Sequence, residues 1–311
     1  MRVGAIDCGT NSIRLLIADV ALDGTLTDVV REMKVVRLGE GVDATGQFSQ
    51  AALDRTFAVA REYAHLLEEH GVTAVRFAAT SASRDASNRE VFISGIQQIL
   101  GVTPEVITGV EEANLSFAGA VSSVGNTEEN TVVIDLGGGS TEFVMGNDNG
   151  VQQAISLNIG CVRLTERHSV DAPLTKEQER LILADVDTAL DEVAENLNLA
   201  EVQRIVGVAG TVTTVMAQTL GLTSYDSDAI NGSERSIDEV MQGAQELASM
   251  TRNQRMATGF MHEGRVDVIG TGATIWSRIV DRLRAESSHD ITSVIASEHD
   301  ILDGLALSLT R

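Results

Sequence analysis

The chain has 311 residues, of which 43% are hydrophobic, and it carries a formal net charge of −22. This length suits about two domains, and the apolar content is too high for an intrinsically disordered chain. The strong negative charge argues against nonspecific binding to nucleic acids and to anionic membranes.

The first part of the chain alternates between strand and helix patterns. The spacing predicts strands over 2–7, 12–20 and 28–38, a helix over 49–70, a strand over 72–80, a helix over 88–100, a short strand over 105–108 and a helix over 110–124. Ser49 is a suitable N-cap for the first helix, and Gly101 is a stop signal for the second. We therefore predict an α/β domain over residues 1–124.

A polar segment without any pattern, 125–130, separates this part from a second alternating part. The second part predicts strands over 131–139, 140–147 and 151–159, a helix over 175–198, a strand over 204–210, helices over 211–220, 236–250 and 267–284, a strand over 293–298 and a helix over 299–309. We therefore predict a second α/β domain over residues 125–311.

Two short motifs recur at nearly one spacing. The pattern D-x-G-x-x-S begins at Asp7 and again at Asp135, an offset of 135 minus 7, or 128. The segment 77–83 lines up with 207–213, an offset of 207 minus 77, or 130. Two motifs that keep one register indicate a duplicated domain, and the cleft between the two halves is the expected ligand site.

The first motif predicts a hairpin that delivers an aspartate to the end of an apolar strand. The backbone N–H groups of such a turn can bind phosphate oxygens, and Asp7 can hold a metal ion. The predicted phosphate-binding residues here are Gly9, Thr10, Asn11 and Ser12. An ordinary β-turn is the alternative, because these are common turn residues.

The second motif contains three successive glycines, which suit a backbone that must approach a bulky anion closely. It fits neither a Walker loop nor a dinucleotide fingerprint, because the lysine and the helix start are absent. Asp135 is the second candidate metal ligand. The predicted phosphate-binding residues are Gly137, Gly138, Gly139, Ser140 and Thr141. A flexible turn is the alternative.

Taken together, these motifs resemble the exopolyphosphatase/guanosine pentaphosphate phosphatase family. The resembling segments are DCGTNSIRLLIAD (7–19), the pair Glu111-Glu112 with Ala113, DLGGGSTEF (135–143), SLNIGCVRLTE (156–166), VGVAGTVTTVMA (206–217) and SEHDILDGLAL (297–307). The family belongs to the actin, Hsp70 and sugar-kinase superfamily. The resemblance therefore implies two duplicated ribonuclease-H-like domains with an interdomain cleft.

The same resemblance assigns roles to individual residues. Glu112 corresponds to the catalytic base, and its place in the first turn of a helix favours an ionised carboxylate that can activate water. Glu142 is the other candidate, and the choice between the two glutamates stays open. Arg84 corresponds to an arginine that stabilises transition-state charge. Alternatively, Glu112 only complements the helix start, and Arg84 is a surface residue.

The later turn at Gly210 and Thr211 resembles the superfamily's later glycine–threonine turn, and both residues are predicted to bind phosphate. Together with Asp7 and Asp135, these loops supply what phosphoryl transfer requires, namely a held phosphate, a neutralising cation and an aligned water. Hard oxygen ligands point to Mg²⁺ or Mn²⁺ as the cofactor. The family further implies a homodimer.

The leading interpretation is an exopolyphosphatase that removes terminal phosphate from inorganic polyphosphate. Hydrolysis of guanosine pentaphosphate to the tetraphosphate is the close alternative, because the same phosphate loops serve both substrates. Longer family members carry an extra C-terminal helical region, so we expect this shorter chain to prefer short polyphosphate or a nucleotide. A superfamily kinase and an ATP-binding regulator without turnover remain more distant alternatives.

No targeting or membrane segment is expected. The N-terminal residues enter a strand pattern directly, and the apolar runs are far too short to span a bilayer. Cys8 and Cys161 are the only cysteines and each lies beside a glycine, which favours small buried residues over a disulfide framework. We therefore expect a cytoplasmic protein that binds neither membranes nor nucleic acids.

Overall fold

The computed structural model describes residues 1–21, 24–125 and 127–310. Two residues of the predicted segments, Asn126 in the polar stretch and Arg311 at the end, lie outside this description. Contacts divide the chain into a first unit, Met1–Gly119 with Ile301–Arg311, and a second unit, Ala120–Asp300.

The first unit is built on a five-stranded sheet. Its elements are β1 Arg2–Cys8, β2 Ser12–Val20, β3 Leu26–Val35, α1 Val42–Thr45, α2 Gln50–Glu69, β4 Ala74–Ala79, α3 Ser81–Asp85, α4 Arg89–Leu100, β5 Glu105–Val106 and the start of α5 Gly109–Val124. The strands lie in the order β3-β2-β1-β4-β5. The first three strands are antiparallel, and β4 and β5 run parallel to β1.

The second unit is built on a six-stranded sheet. Its elements are β6 Thr131–Leu136, β7 Thr141–Asn147, β8 Gly150–Leu157, α6 Cys161–Arg167, α7 Lys176–Asn196, β9 Arg204–Val208, α8 Ala209–Thr219, α9 Ser227–Ile230, β10 Glu234–Ser236, α10 Ile237–Ser249, α11 Arg252–Ala257, α12 Ile269–Glu286 and β11 Ser293–Ala296. Short 3₁₀ turns occur at Leu199–Glu201 and Glu263–Arg265.

The two sheets share one topology. The second sheet has the order β10-β11-β9-β6-β7-β8. Reading it from β8 to β11 repeats the first sheet strand for strand, with three antiparallel strands followed by two parallel ones. Only the edge strand β10 is additional. The predicted duplication and the α/β, ribonuclease-H-like fold class are confirmed.

The first sheet is covered on both faces, as the period of two along a strand requires. On β1, Ile6 belongs to an apolar cluster with residues of α2 and α4. Its neighbour Ala5 points the other way, into a cluster with Leu302 and Leu305. These two leucines belong to the last helix, α13 Ile301–Ser308.

The position of α13 corrects the predicted domain division. The sequence assigned this helix to the second domain, but it packs on β1 and β2 and so belongs to the first unit. Asp303 is 0% exposed and forms an ion pair with Arg31 of β3 at 2.5 Å. Gly304 lies against α5, since a Cβ there would stand 2.1 Å from the Leu115 carbonyl oxygen. The sequence of a helix does not by itself show which sheet the helix packs against.

Several short elements were not predicted, namely α1, α3, α6, α9, α11 and β10. They have between three and seven residues, too short for a clear periodic pattern. The two cysteines are buried and free, as predicted. Within the described chain, no helix combines the length and the apolar character needed to cross a membrane.

The buried ion pair of Asp303 should stabilise the first unit. We expect Asp303→Asn to lower the free energy of unfolding by about 3 kcal/mol, because the substitution removes one half of a buried pair. The matched control is Asp28→Asn, which removes the exposed partner of the same arginine and should cost less than about 1 kcal/mol. Urea unfolding measures both, and equal losses would contradict the prediction.

Candidate active site

The first predicted phosphate loop is a tight hairpin between β1 and β2. The Gly9 N–H donates to the Ser12 carbonyl at 3.0 Å, and the Asn11 carbonyl accepts from two amides of the segment that follows β3. The Thr10 hydroxyl is buried and makes no hydrogen bond within the described chain. The loop is therefore fixed, and Thr10 has a hydroxyl that can bind a ligand.

The second loop repeats this construction between β6 and β7. The Gly137 N–H donates to the Ser140 carbonyl, again at 3.0 Å. The Gly138 carbonyl accepts from the amides of α6, and Arg163 Nε donates to the Gly139 carbonyl at 2.6 Å. At Gly160, a Cβ would lie 2.4 Å from the Gly138 oxygen, so a side chain there would displace the loop.

The two loops differ in the charge beside their aspartates. Asp7 lies opposite Arg14 in the β1–β2 register, and Arg14 donates to Asp7 Oδ2 from Nε at 3.0 Å and from Nη2 at 2.7 Å. In the second unit, Asp135 lies opposite Glu142. Directly opposed residues on antiparallel strands share one face of the sheet. One copy therefore pairs its carboxylate with a cation, and the other places two carboxylates together.

Glu142 is a buried carboxylate, only 1% exposed, and hydrogen bonds hold it in place. Its Oε1 accepts hydrogen bonds from the hydroxyls of Ser140 and Ser156, each at 2.7 Å. The Thr141 hydroxyl donates instead to the Ile159 carbonyl at 2.7 Å. The hydroxyls of Ser140 and Thr141, both predicted to bind phosphate, thus serve to fix Glu142 and the neighbouring chain.

The first unit brings together two of the predicted residues, Glu112 and Arg84. Glu112 lies in the first turn of α5 and is 7% exposed. Arg84 Nη1 donates to Glu112 Oε2 at 2.6 Å and to the Ile107 carbonyl at 3.2 Å. The neighbouring Glu111 is bound at 2.6 Å by Arg76 at the surface instead. The two glutamates therefore have different environments, because neighbouring residues of a helix point about 100° apart.

The glycine turn of the second unit carries an arginine that the sequence did not reveal. A Cβ at Gly210 would lie 1.1 Å from Arg265 Nη1, so the guanidinium occupies the space beside the glycine. Ala209 adopts a φ of 68° there, which is strained for a residue with a side chain. Within the described chain, Arg265 makes no hydrogen bond or ion pair through its side chain.

Thr211, the other predicted residue of this turn, is buried beside Cys161 and Gly272. Burial raises the pKa of the Cys161 thiol, which a hydrogen bond with Thr211 and the charge of Arg265 partly offset. The sequence signal that could have found Arg265 is weak. It is an isolated arginine shortly before the glycine-containing start of α12.

The donor set suits one class of metal ion. Among the described residues, no three or more histidine, cysteine or carboxylate side chains are grouped so that they could hold a metal ion by themselves, so these residues form no zinc-type cage. Asp135 and Glu142 offer two adjacent carboxylates, and Mg²⁺ binds through one or two carboxylates together with water and substrate phosphates. Asp7, the other predicted ligand, is instead bound by Arg14.

Comparison with known proteins identifies the family of the chain. A sequence profile of the Ppx/GppA phosphatase family matches residues 16–309. The chain belongs to the Ppx/GppA phosphatase family. The predicted recognition is thereby confirmed, and the chain is a phosphatase-type hydrolase. The chain is 49% identical to Exopolyphosphatase 2 of Mycobacterium tuberculosis over 99% of this chain and 98% of that protein.

Solved structures of the Ppx/GppA family share the fold. An exopolyphosphatase from Cytophaga hutchinsonii has a TM-score of 0.91 at 27% identity, covering 100% of this chain and 98% of that one. A family member from Aquifex aeolicus has a TM-score of 0.81 at 29% identity, covering 99% and 97%. The fold of the chain is therefore that of the Ppx/GppA family structures.

Two glycines of these loops should respond differently to a methyl group. In Gly210→Ala the new Cβ meets only the mobile end of Arg265, so we expect little change in melting temperature. Because the guanidinium is displaced, phosphatase activity should fall by about tenfold, the loss typical of one removed ligand contact.

Gly160→Ala is the comparison variant, because its Cβ meets the backbone of Gly138. This variant should lose both thermal stability and activity. Melting curves and phosphate-release assays on both proteins provide the measurement. A large drop in the melting temperature of Gly210→Ala would show that the space beside Gly210 is needed for folding rather than for placing Arg265.

Proposed function

We propose that this protein is an exopolyphosphatase that hydrolyses the terminal phosphate of inorganic polyphosphate. The observation that carries the proposal is the duplicated hairpin, closed in both copies by the same Gly–Ser backbone bond and flanked by opposite charges. A polyphosphate chain needs backbone and cationic groups for its oxygens and a metal ion for its charge. The named exopolyphosphatase relatives support this substrate.

Phosphate binding is assigned to the hairpin amides and to two arginines. Arg14 presents a guanidinium beside the first loop while it also holds Asp7. Arg265 presents a second guanidinium beside Gly210. Guanidinium groups match phosphate oxygens in geometry and stay charged at all working pH values. The buried Thr10 hydroxyl adds a donor in the first loop.

We assign activation of the attacking water to Glu112 rather than to Glu142. Glu142 lies opposite Asp135 and is assigned to the metal with it, while its Oε1 accepts hydrogen bonds from two serine hydroxyls. Arg84 fixes one oxygen of Glu112 and thereby orients the group. Glu112 takes a proton from water, the water oxygen bonds to the terminal phosphorus, and the bridging P–O bond breaks to release orthophosphate and a shortened chain.

Asp135 and Glu142 would hold Mg²⁺ or Mn²⁺. When bound, the metal ion supplies positive charge that neutralises the phosphate oxygens. The serine hydroxyls on Glu142 fix the direction of its carboxylate, as hydrogen bonds to metal ligands generally do.

The acidic surface favours short substrates. The net charge of −22 repels a long polyanion wherever it leaves the cationic groups of the site. We therefore propose that tripolyphosphate and other short chains are cleaved with higher catalytic efficiency than long ones.

Hydrolysis of guanosine pentaphosphate is the second candidate function, and one observation favours it. Tyr225 is the only aromatic side chain exposed within the described chain. Its hydroxyl donates to Glu298 Oε1 at 2.5 Å, which fixes the ring, and a fixed exposed ring can stack on a nucleobase. Comparing kcat/KM for tripolyphosphate and guanosine pentaphosphate decides between the two candidates.

Glu112→Gln should abolish turnover while preserving the fold. The amide can still meet Arg84 but cannot take a proton, so we expect kcat to fall by about 100-fold or more, the usual contribution of a general base. Glu111→Gln is the matched control on the same helix turn and should keep near-normal kcat. Phosphate release from tripolyphosphate with Mg²⁺ measures both variants, and an undiminished kcat in Glu112→Gln would remove the assignment.

The two aspartates should respond differently when the metal concentration is varied. Asp135→Asn should raise the half-saturating Mg²⁺ concentration by about tenfold or more, because it removes one of two carboxylate ligands. Asp7→Asn should leave that concentration within a factor of about two, because Asp7 is bound by Arg14. Phosphate release is measured against Mg²⁺ at saturating tripolyphosphate. Equal shifts in the two variants would assign the metal to both loops.

A further inference from the structure

A second arginine lies directly behind the segment that carries Arg265. Arg255 stands in α11 and is 1% exposed, one of the largest side chains that the fold buries completely. No carboxylate contacts its guanidinium within the described chain. A buried charge without an acidic partner is unusual and costly, so its contacts need a reason.

The guanidinium of Arg255 binds three carbonyl oxygens. Two belong to the last turn of α10, where Nε donates to Leu247 at 3.2 Å and Nη2 donates to Ala248 at 3.2 Å. The negative end of the helix dipole compensates part of the buried charge there. The third bond runs from Nη1 to the Val266 carbonyl at 3.0 Å. Burial lowers the pKa of Arg255, and the charge of Asp267 opposes that shift.

The third bond matters because Val266 directly follows Arg265. The short turn 265–268 is also held by backbone bonds from Arg265 N to the His262 carbonyl at 2.9 Å and from Val268 N to the Arg265 carbonyl at 3.0 Å, and at its surface by an exposed ion pair of Asp267 with Arg252. Arg255 is the side chain that ties this turn to the end of α10. If Arg255 moved, the turn could shift, and the Arg265 guanidinium would shift with it.

The start of α12 is shaped around the same group. A Cβ at Gly270 would lie 2.2 Å from Arg255 Nη2. Gly210 leaves space for Arg265 in the same manner. Two glycines thus make room for two guanidinium groups.

We propose that Arg255 is a positioning residue: it holds the Val266 carbonyl and thereby fixes Arg265 beside Gly210 for binding the phosphate chain. The inference rests on the proposed function, in which Arg265 binds substrate. The planar guanidinium spreads its donors over three nitrogens, so it reaches three separate carbonyls, whereas lysine carries all its donors on one nitrogen and an apolar side chain has none. Burial alone does not call for such a group, because apolar replacements of buried charges are often equally stable.

The decisive experiment is a double-variant cycle on steady-state kinetics with tripolyphosphate and Mg²⁺. Arg255→Lys keeps the charge but loses the three-way geometry, so KM should rise by about tenfold while kcat stays within about twofold. In an Arg265→Met background, Arg255→Lys should change KM by less than about twofold, because its effect passes through Arg265. If Arg255 had a purely structural role, the two substitutions would act independently, and their effects on KM would multiply in the double variant.

Arg252→Lys is the matched control, since Arg252 lies on the same helix but forms an exposed pair with Asp267. It should keep the wild-type KM. If Arg255→Lys does not fold, Gly270→Ala tests the same contact from the other side and should raise KM similarly. An unchanged KM, or a KM effect that persists without Arg265, overturns the positioning role while leaving the function intact. If the wild type releases no phosphate from tripolyphosphate, the proposed function itself fails, and the inference falls with it.

Discussion

One backbone hydrogen bond, made once in each unit, is the constraint on which the site depends. It runs from Gly9 to Ser12 and from Gly137 to Ser140, at 3.0 Å in both cases. The bond closes the turn so tightly that the next strand begins at once. The aspartate at the end of one strand is therefore opposed by a fixed residue of the following strand. The charge that lies beside each aspartate follows from that opposed residue.

The two hairpins are closed by the same backbone bond, and their charges differ because Arg14 lies opposite one aspartate and Glu142 lies opposite the other. Arg14 neutralises one aspartate, whereas Glu142 adds a second negative charge beside the other. Two adjacent carboxylates repel each other unless a cation lies between them. The serine hydroxyls on Glu142 ease that repulsion in part. One hairpin thus carries a neutralised aspartate and the other an acidic pair, although the same backbone bond closes both.

The sequence predicted what depends on local pattern and on repetition. Strand and helix order, the two hairpins and the helix position of Glu112 all follow from periodicity or from matching motifs. The contacts that define the site are long-range and were not predictable in this way. Arg14 was overlooked because its role depends on strand register, and Arg265 because it meets Gly210 only in the folded chain. The helix α13 was assigned to the wrong unit, because an apolar helix does not indicate which sheet it covers.

The location of α13 has a consequence for the order of synthesis. Its leucines complete the second face of the first sheet, yet they are translated after all of residues 120–300. Chains usually fold from the N-terminus as they leave the ribosome. Here Ala5 and Leu16 of the first sheet lack the leucines of α13 until the whole second unit has emerged. The nascent chain therefore exposes part of an apolar sheet face while residues 120–300 are synthesised. At this stage the chain is prone to aggregation and can be bound by chaperones.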